Sequence, residues 1–107
     1  MKQKTMINLL LASSMLLVFS GMAQAGDAAA GKEKNSMCIG CHGIDGYRTA
    51  FPSAYHVPKI GGQHQEYLVK ALEGYRDGTR NHPSMTGLAK SLTDQDIKDL
   101  AAFYASN

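Results

Sequence analysis

The 107-residue sequence lacks several features that define common classes of protein. Its longest apolar stretch, residues 6–19, is interrupted by polar residues and falls short of the roughly 20 apolar residues that a membrane-spanning helix needs. It has no alternating strand pattern of useful length and no internal repeat. It has only two cysteines, Cys38 and Cys41. These absences argue against a membrane-spanning helix and a β-rich fold, and they direct attention to the cysteine pair.

The first 25 residues have the pattern of an export signal. Lys2 and Lys4 give a basic start, an apolar stretch follows, and a small-x-small site ends at Ala25. An uncleaved membrane anchor is the alternative. We predict that residues 1–25 are a signal peptide cleaved after Ala25, that residues 26–107 form one domain without a membrane span, and that the protein is located in the periplasm.

Charge is balanced in the predicted mature domain. The sequence has 11 basic and 9 acidic residues, but Lys2 and Lys4 precede the predicted cleavage site, so nine of each sign remain. This balance gives no electrostatic footprint for nucleic acid or for an anionic membrane surface. A domain of roughly 80 residues lies near the size at which a purely hydrophobic core is marginal, so we expect a further source of stability.

Helical spacing and capping residues predict an all-α domain of three to four helices joined by long loops. Thr93 and Asp96 form a capping box ahead of the last helix. Gly78 is expected to end the preceding helix. We predict helices over residues 27–37, over residues 63–78 and from Thr93 onward, with loops at 43–62 and 79–85.

The two cysteines lie in the segment NSMCIGCHGIDG, residues 35–46, which contains a CxxCH motif. A disulfide between Cys38 and Cys41 would close too small a loop to stabilise the domain much. A thioredoxin-like dithiol needs a sustained helix in a βαβ setting, and Gly40, Gly43 and Gly46 are expected to break such a helix. A zinc site needs four ligands, and the other histidines lack the required spacing.

Covalent haem attachment is the interpretation that uses every residue of the motif. In CxxCH segments the two thiols add across the vinyl groups of a haem, and the next residue becomes an axial iron ligand. We therefore predict one haem c per chain, bound covalently to Cys38 and Cys41, with His42 as the proximal ligand. An enclosed haem would supply the apolar surface that so small a domain needs.

The sixth iron ligand decides between an electron carrier and an iron site open to small molecules. Met85 is the candidate, because the only other methionine after residue 25, Met37, directly precedes the motif. A thioether ligand raises the reduction potential, whereas the rival ligand, His82, would lower it. Pro58 is a candidate to accept a hydrogen bond from His42 through its backbone carbonyl, although it could equally serve to stiffen a turn.

The combination of CxxCH, VPKIGGQHQEYLVKAL, GYRDGTR, Met85 and LTDQDIKDLAAFY resembles the class I c-type cytochromes. The likeness is strongest to small monohaem bacterial members and to one half of tandem dihaem members. The resemblance implies the cytochrome c fold, in which the first and last helices cross. It also implies the site residues, with Cys38 and Cys41 on the haem, His42 and Met85 on the iron, and the Pro58 carbonyl on His42.

Asn35 departs from this family pattern. It lies four residues after Gly31, where the family places an aromatic or apolar residue at the helix crossing. We expect a weaker helix contact there or an Asn35 side chain that turns outward.

The predicted function is that of a periplasmic single-electron carrier, not an enzyme, whose haem iron cycles between Fe(III) and Fe(II). Its partners would be a redox protein donor and acceptor that dock transiently, and not nucleic acid. The alternatives are a haem enzyme or ligand sensor with a displaceable Met85, a cytochrome subunit of a larger redox enzyme, and a non-haem CxxC thiol oxidoreductase.

Overall fold

The computed structural model describes residues 25–51 and 54–107. The predicted signal peptide, apart from Ala25, lies outside the described residues. The described chain is mostly helical, which confirms the all-α prediction, but it contains five helices where three to four were predicted. No helix in it is long and apolar enough to cross a bilayer. Its elements in chain order are α1 (Ala28–Lys34), α2 (Ser36–His42), β1 (Arg48–Thr49), β2 (Tyr55–His56), α3 (Gln65–Asp77), α4 (Pro83–Lys90) and α5 (Asp94–Ala105).

Helices α1 and α5 cross with their backbones in close approach. Gly31 is buried at the crossing, and a Cβ atom built on it would lie 2.0 Å from the carbonyl oxygen of Asp99. Only a residue without a side chain fits such a distance. The crossing that the family resemblance implied is therefore present, and it brings the first helix against the last.

A buried carboxylate fastens the same crossing. Asp99 is only 2% exposed and accepts hydrogen bonds from the backbone N–H of Asp27 (2.9 Å), from Gln95 Nε2 (2.8 Å) and from Lys34 Nζ (2.7 Å). Lys34 also contacts Asp96 at 2.8 Å. The Lys34 ammonium lowers the pKa of Asp99 and, together with hydrogen bonds from Thr93, lowers the pKa of Asp96 to about 2. Asp99 is thus buried with its hydrogen-bonding capacity satisfied.

The segment predicted as one helix over residues 27–37 is broken at Asn35. The Asn35 carbonyl accepts the N–H groups of Cys38 (2.8 Å) and Ile39 (2.9 Å), so a second helix, α2, starts at Ser36 with only Asn35 between it and α1. Asn35 is buried, with 9% exposure, so the expectation of an outward side chain is wrong. Gly40 does not break α2, which continues through the motif, whereas Gly43 ends the helix as expected.

The other helices form the rest of the core. Gly78 ends α3 in the left-handed conformation (φ 92°), and Thr93 and Asp96 cap α5 reciprocally, so both predicted helix signals are confirmed. Helix α3 packs against α4 and α5. The predicted loop at 43–62 also holds a short antiparallel ladder in which Arg48 pairs with His56. The buried apolar residues are Leu68, Ala89, Ile97, Leu100 and Ala101.

Replacing Gly31 should test the helix crossing directly. We expect Gly31→Ala to lower the free energy of unfolding by about 2 kcal/mol or more, because the new methyl group overlaps the α5 backbone. Gly87→Ala is the matched control, since Gly87 lies in α4 with no atom within 4 Å of an added Cβ. It should leave stability unchanged or raise it by up to about 1 kcal/mol. Urea unfolding measures both, and equal effects of the two variants would contradict the proposed constraint.

Candidate functional site

Helix α2 carries all three reactive side chains of the CxxCH motif. Cys38 and Cys41 are three residues apart on one turn, so their side chains share a face of the helix. Both are half-buried free thiols. His42 is the last residue of α2, and Gly43 follows as its C-cap. The two sulfurs and the imidazole are therefore presented together at the end of one rigid element.

The His42 ring is held by the backbone of the long loop. Its Nδ1 lies 2.6 Å from the carbonyl oxygen of Pro58. A carbonyl can only accept, so Nδ1 carries the proton and Nε2 is the nitrogen with a lone pair for a metal. The structure thus contains the contact that was predicted for Pro58, and the iron-ligand role of His42 stays a prediction.

Two further contacts keep Pro58 near α2. The N–H of Val57 donates to the carbonyl of Tyr47 at 2.9 Å. Lys59 forms an ion pair with Asp45 across the loop. The residues on both sides of Pro58 are thus tied to the segment that follows the motif, so the carbonyl reaches His42 from a fixed direction.

Met85 lies in helix α4. The sequence had predicted a loop at this position, over residues 79–85. Helix α4 begins at Pro83, a residue favoured at the first helical position because its missing N–H has no intrahelical partner there. Met85 is the third residue of α4 and its side chain is half-buried. The helix start therefore fixes the Met85 backbone, which a flexible loop would not do.

His82 is the N-cap of α4. The His82 ring nitrogen Nδ1 accepts the backbone N–H of Met85 at 3.4 Å. The backbone N–H of His82 donates to Thr86 Oγ1 at 3.3 Å. The ring also packs edge-on against Tyr55, with the two centroids 4.5 Å apart. This histidine was considered as an alternative iron ligand, and the structure gives it a defined role in starting the helix that carries Met85.

The loop segment 55–58 connects the two candidate iron ligands. At one end Tyr55 contacts His82 beside Met85, and at the other end Pro58 contacts His42. Three residues of extended chain span at most about 11 Å. A short piece of backbone thus links the surroundings of His42 on α2 with the start of α4.

Tyr104 on α5 lies beside Cys38. Its hydroxyl oxygen is buried and has no hydrogen-bond partner among the residues described. Burial raises the pKa of Tyr104 to about 12, and the Cys38 thiol adds to this. Burial also raises the pKa of Cys38, while Tyr104 partly offsets the increase. The last helix therefore closes one side of the cysteine motif.

The donor set and its surroundings fit a haem. Two thiols on one turn can form two thioether bonds, and an imidazole with Nε2 available follows them. Within the described ranges, no group of three His, Cys, Asp or Glu side chains is arranged to hold a bare metal ion. Large apolar side chains near the motif are exposed, as expected around an apolar group. They include Met37 (49%), Ile39 (51%) and Ile44 (48%).

Comparisons with known proteins agree on one family. A family model described as cytochrome c matches residues 28–107. The chain is 45% identical over 102 residues to cytochrome c4 of Pseudomonas aeruginosa, an alignment that covers 94% of this chain and 49% of that protein. It is 46% identical over 85 residues to cytochrome c-554(548) of Halomonas halodenitrificans, covering 77% of this chain and 98% of that protein.

A solved structure shows the same likeness in three dimensions. Reduced recombinant cytochrome c4 from Pseudomonas stutzeri matches with a TM-score of 0.63 at 38% identity, over 78% of this chain and 46% of that chain. The chain thus spans about half the length of the cytochrome c4 relatives and nearly all of cytochrome c-554(548).

Substitution of His82 should separate its capping role from other roles. We expect His82→Ala to lower the free energy of unfolding by about 1 kcal/mol, because Met85 loses the acceptor of its N–H. His82→Asn should recover most of this loss, since asparagine is a favourable N-cap. Urea unfolding of both variants measures the effect. An asparagine variant as unstable as the alanine variant would contradict the capping role.

Proposed function

Because the chain belongs to the cytochrome c family, we propose that it is an exported carrier of single electrons, with its haem c bound to Cys38 and Cys41 and ligated by His42 and Met85. The proposal includes cleavage after Ala25, a periplasmic location and one haem per chain. The bound haem supplies an iron that alternates between Fe(III) and Fe(II). The residues of the chain attach it, orient it and restrict access to it.

The two cysteines serve as covalent anchors. Each thiol adds its sulfur and its proton across one vinyl double bond, so a thioether forms and no other reactant is consumed. Two anchors on one turn of α2 fix the group relative to the helix, and His42 follows at the end of the same helix. An electron carrier gains from this rigidity because little rearrangement has to accompany the change of charge.

The observation that carries the proposal is the 2.6 Å contact between His42 Nδ1 and the Pro58 carbonyl. A histidine that binds a metal through one nitrogen donates its other N–H to an acceptor, which sets the ring orientation and strengthens the ligand. A histidine on a solvated surface needs no such arrangement. This contact supports His42 as a permanent iron ligand through Nε2.

Met85 is proposed as the sixth ligand because His82 already has a different task. His82 accepts the Met85 N–H and packs on Tyr55, so its ring is committed to the start of α4. The cap also fixes the backbone of Met85, which favours a ligand that stays bound in both oxidation states. A thioether favours Fe(II) and would give this carrier a raised potential.

The proposed partners are a redox protein that donates the electron and another that accepts it. Residues 26–107 carry nine charges of each sign, so no strong field favours a tight complex. Weak redox encounters use small interfaces, which permit rapid dissociation after each transfer. We therefore propose transient docking to both partners.

Haem staining of the denatured protein tests the anchors. The wild-type chain should retain the stain on a denaturing gel, because only covalently bound haem survives the treatment. The Cys38→Ala, Cys41→Ala double variant should lose it completely. Met85→Ala is the control, since removing an axial ligand leaves both thioether bonds intact. A stained double variant, or an unstained wild-type protein, would refute the covalent attachment.

Absorption spectra test the sixth ligand. Met85→Ala should lose the weak far-red band that arises from sulfur–iron coordination, and its ferrous form should bind carbon monoxide that the wild-type protein resists. His82→Asn keeps a cap for α4 and should retain the band. An unchanged spectrum in Met85→Ala, or absence of the band from the wild-type protein, would show that the ligand is assigned incorrectly.

A further inference from the structure

The predicted cleavage site lies against helix α5. Gly26, which would become the first residue of the mature protein, has no room for a side chain, because an added Cβ would lie 2.2 Å from the carbonyl oxygen of Lys98. The next residue, Asp27, donates its backbone N–H to Asp99 Oδ1 at 2.9 Å. The chain around residue 26 is therefore held in place by α5.

The backbone nitrogen of Gly26 is close to the buried carboxylate of Asp99. Backbone nitrogens of consecutive residues lie at most about 3.7 Å apart, so the Gly26 nitrogen is within about 7 Å of Asp99 Oδ1. Gln95 marks the same place, since its Nε2 donates both to the carbonyl of Ala25 (3.1 Å) and to Asp99 Oδ1 (2.8 Å). A charge placed on the Gly26 nitrogen would therefore lie beside the Asp99 carboxylate and the charged groups around it.

The charged groups around Asp99 include more carboxylates than cations. Asp96 and Asp99 share one ammonium group, that of Lys34, at 2.8 and 2.7 Å. Asp27 adds a third carboxylate, which caps α1 by accepting the N–H of Ala29 at 2.9 Å. The cavity beside Gly26 is also lined by Lys98 of α5 and, from the start of α3, by His64, Glu66 and Lys70. An additional cation next to Asp99 would reduce this excess of negative charge at the crossing.

We propose that cleavage after Ala25 supplies this cation, and that the new α-ammonium group of Gly26 forms an ion pair with the Asp99 carboxylate. In the cleavage, a peptidase adds water across the Ala25–Gly26 bond, which leaves a carboxylate on Ala25 and an ammonium group on Gly26. The bond from Gln95 to the Ala25 carbonyl is lost, and the Gln95 amide remains bound to Asp99. The inference rests on the export and cleavage in the proposed function.

Processing then strengthens the crossing of α1 and α5. Before cleavage the Gly26 nitrogen is a neutral amide, and Asp96 and Asp99 share the single ammonium group of Lys34. After cleavage a second cation reaches a carboxylate that is only 2% exposed, where screening by solvent is weak. Helix α2 with the CxxCH motif begins two residues after α1 ends, so the strengthened crossing adjoins the cysteine helix.

A double-mutant cycle on the haem-loaded protein tests the ion pair. The first pair of proteins begins at Gly26, one with a free α-amine and one with that amine acetylated. The second pair is the same but carries Asp99→Asn. All four are unfolded in urea at pH 7 and low salt. We expect acetylation to raise the unfolding equilibrium constant about 5-fold with Asp99 and to have no effect with Asp99→Asn. An effect of equal size in both backgrounds, or no effect in either, would overturn the proposal.

The pH dependence gives a second measurement that needs no variant. An ammonium group beside a carboxylate has a raised pKa in the folded state, above the ordinary value of about 8. Its contribution is then complete below about pH 8 and is lost as the pH rises through the folded-state pKa. Titration of ¹⁵N-labelled Gly26 by NMR should give such a raised pKa, and a pKa at or below the ordinary value would contradict the ion pair.

The mass of the exported protein separates this inference from the electron-carrier proposal. A mass that corresponds to residues 26–107 plus one covalently bound haem supports the cleavage site. A different N-terminal residue would overturn the ion pair, whereas haem staining and the far-red band would still report on the haem site independently.

Discussion

The backbones of α1 and α5 approach so closely at Gly31 that no other residue can occupy this position without moving a helix. Asp99, on the facing helix, adds hydrogen bonds to Lys34 and to the Asp27 backbone at the same place. Helix α2 follows α1 after the single residue Asn35, so the orientation of the cysteine motif derives from this crossing. The same last helix brings Tyr104 against Cys38. The first and last segments of the domain thus fix the position of the candidate haem anchors.

The second half of the site depends on β2 and on the loop between β2 and α3. Tyr55 of β2 packs on His82, and Pro58 in the loop provides the acceptor for His42. A loop of this length would ordinarily be mobile in so small a domain. Here the contacts of β2 and this loop with α2 and with the start of α4 hold His42 and His82 in place, in a chain that belongs to the cytochrome c family.

Local signals were readable from the sequence, and signals that depend on tertiary contacts were not. The Thr93–Asp96 capping box and the Gly78 cap each involve residues within one turn, so spacing alone predicted them. Helix α4 was missed because it is short and its cap is His82, which is not among the usual capping residues. The break at Asn35 was missed because no glycine or proline lies between Gly31 and the cysteine motif to mark it. The roles of Cys38, Cys41, His42 and Met85 remain predictions that follow from the motif and the family.

The nature of the group that holds His42 has a consequence for proton coupling. A carboxylate in that position would titrate, and its change of charge would make the electron affinity of the iron depend on pH. The acceptor in this protein is the Pro58 carbonyl, which has no proton to gain or lose between acid and alkaline conditions. With His42 as the proposed iron ligand, electron uptake would not be accompanied by protonation of its hydrogen-bond acceptor, and on this side of the haem the driving force would stay constant when the acidity of the surroundings changes.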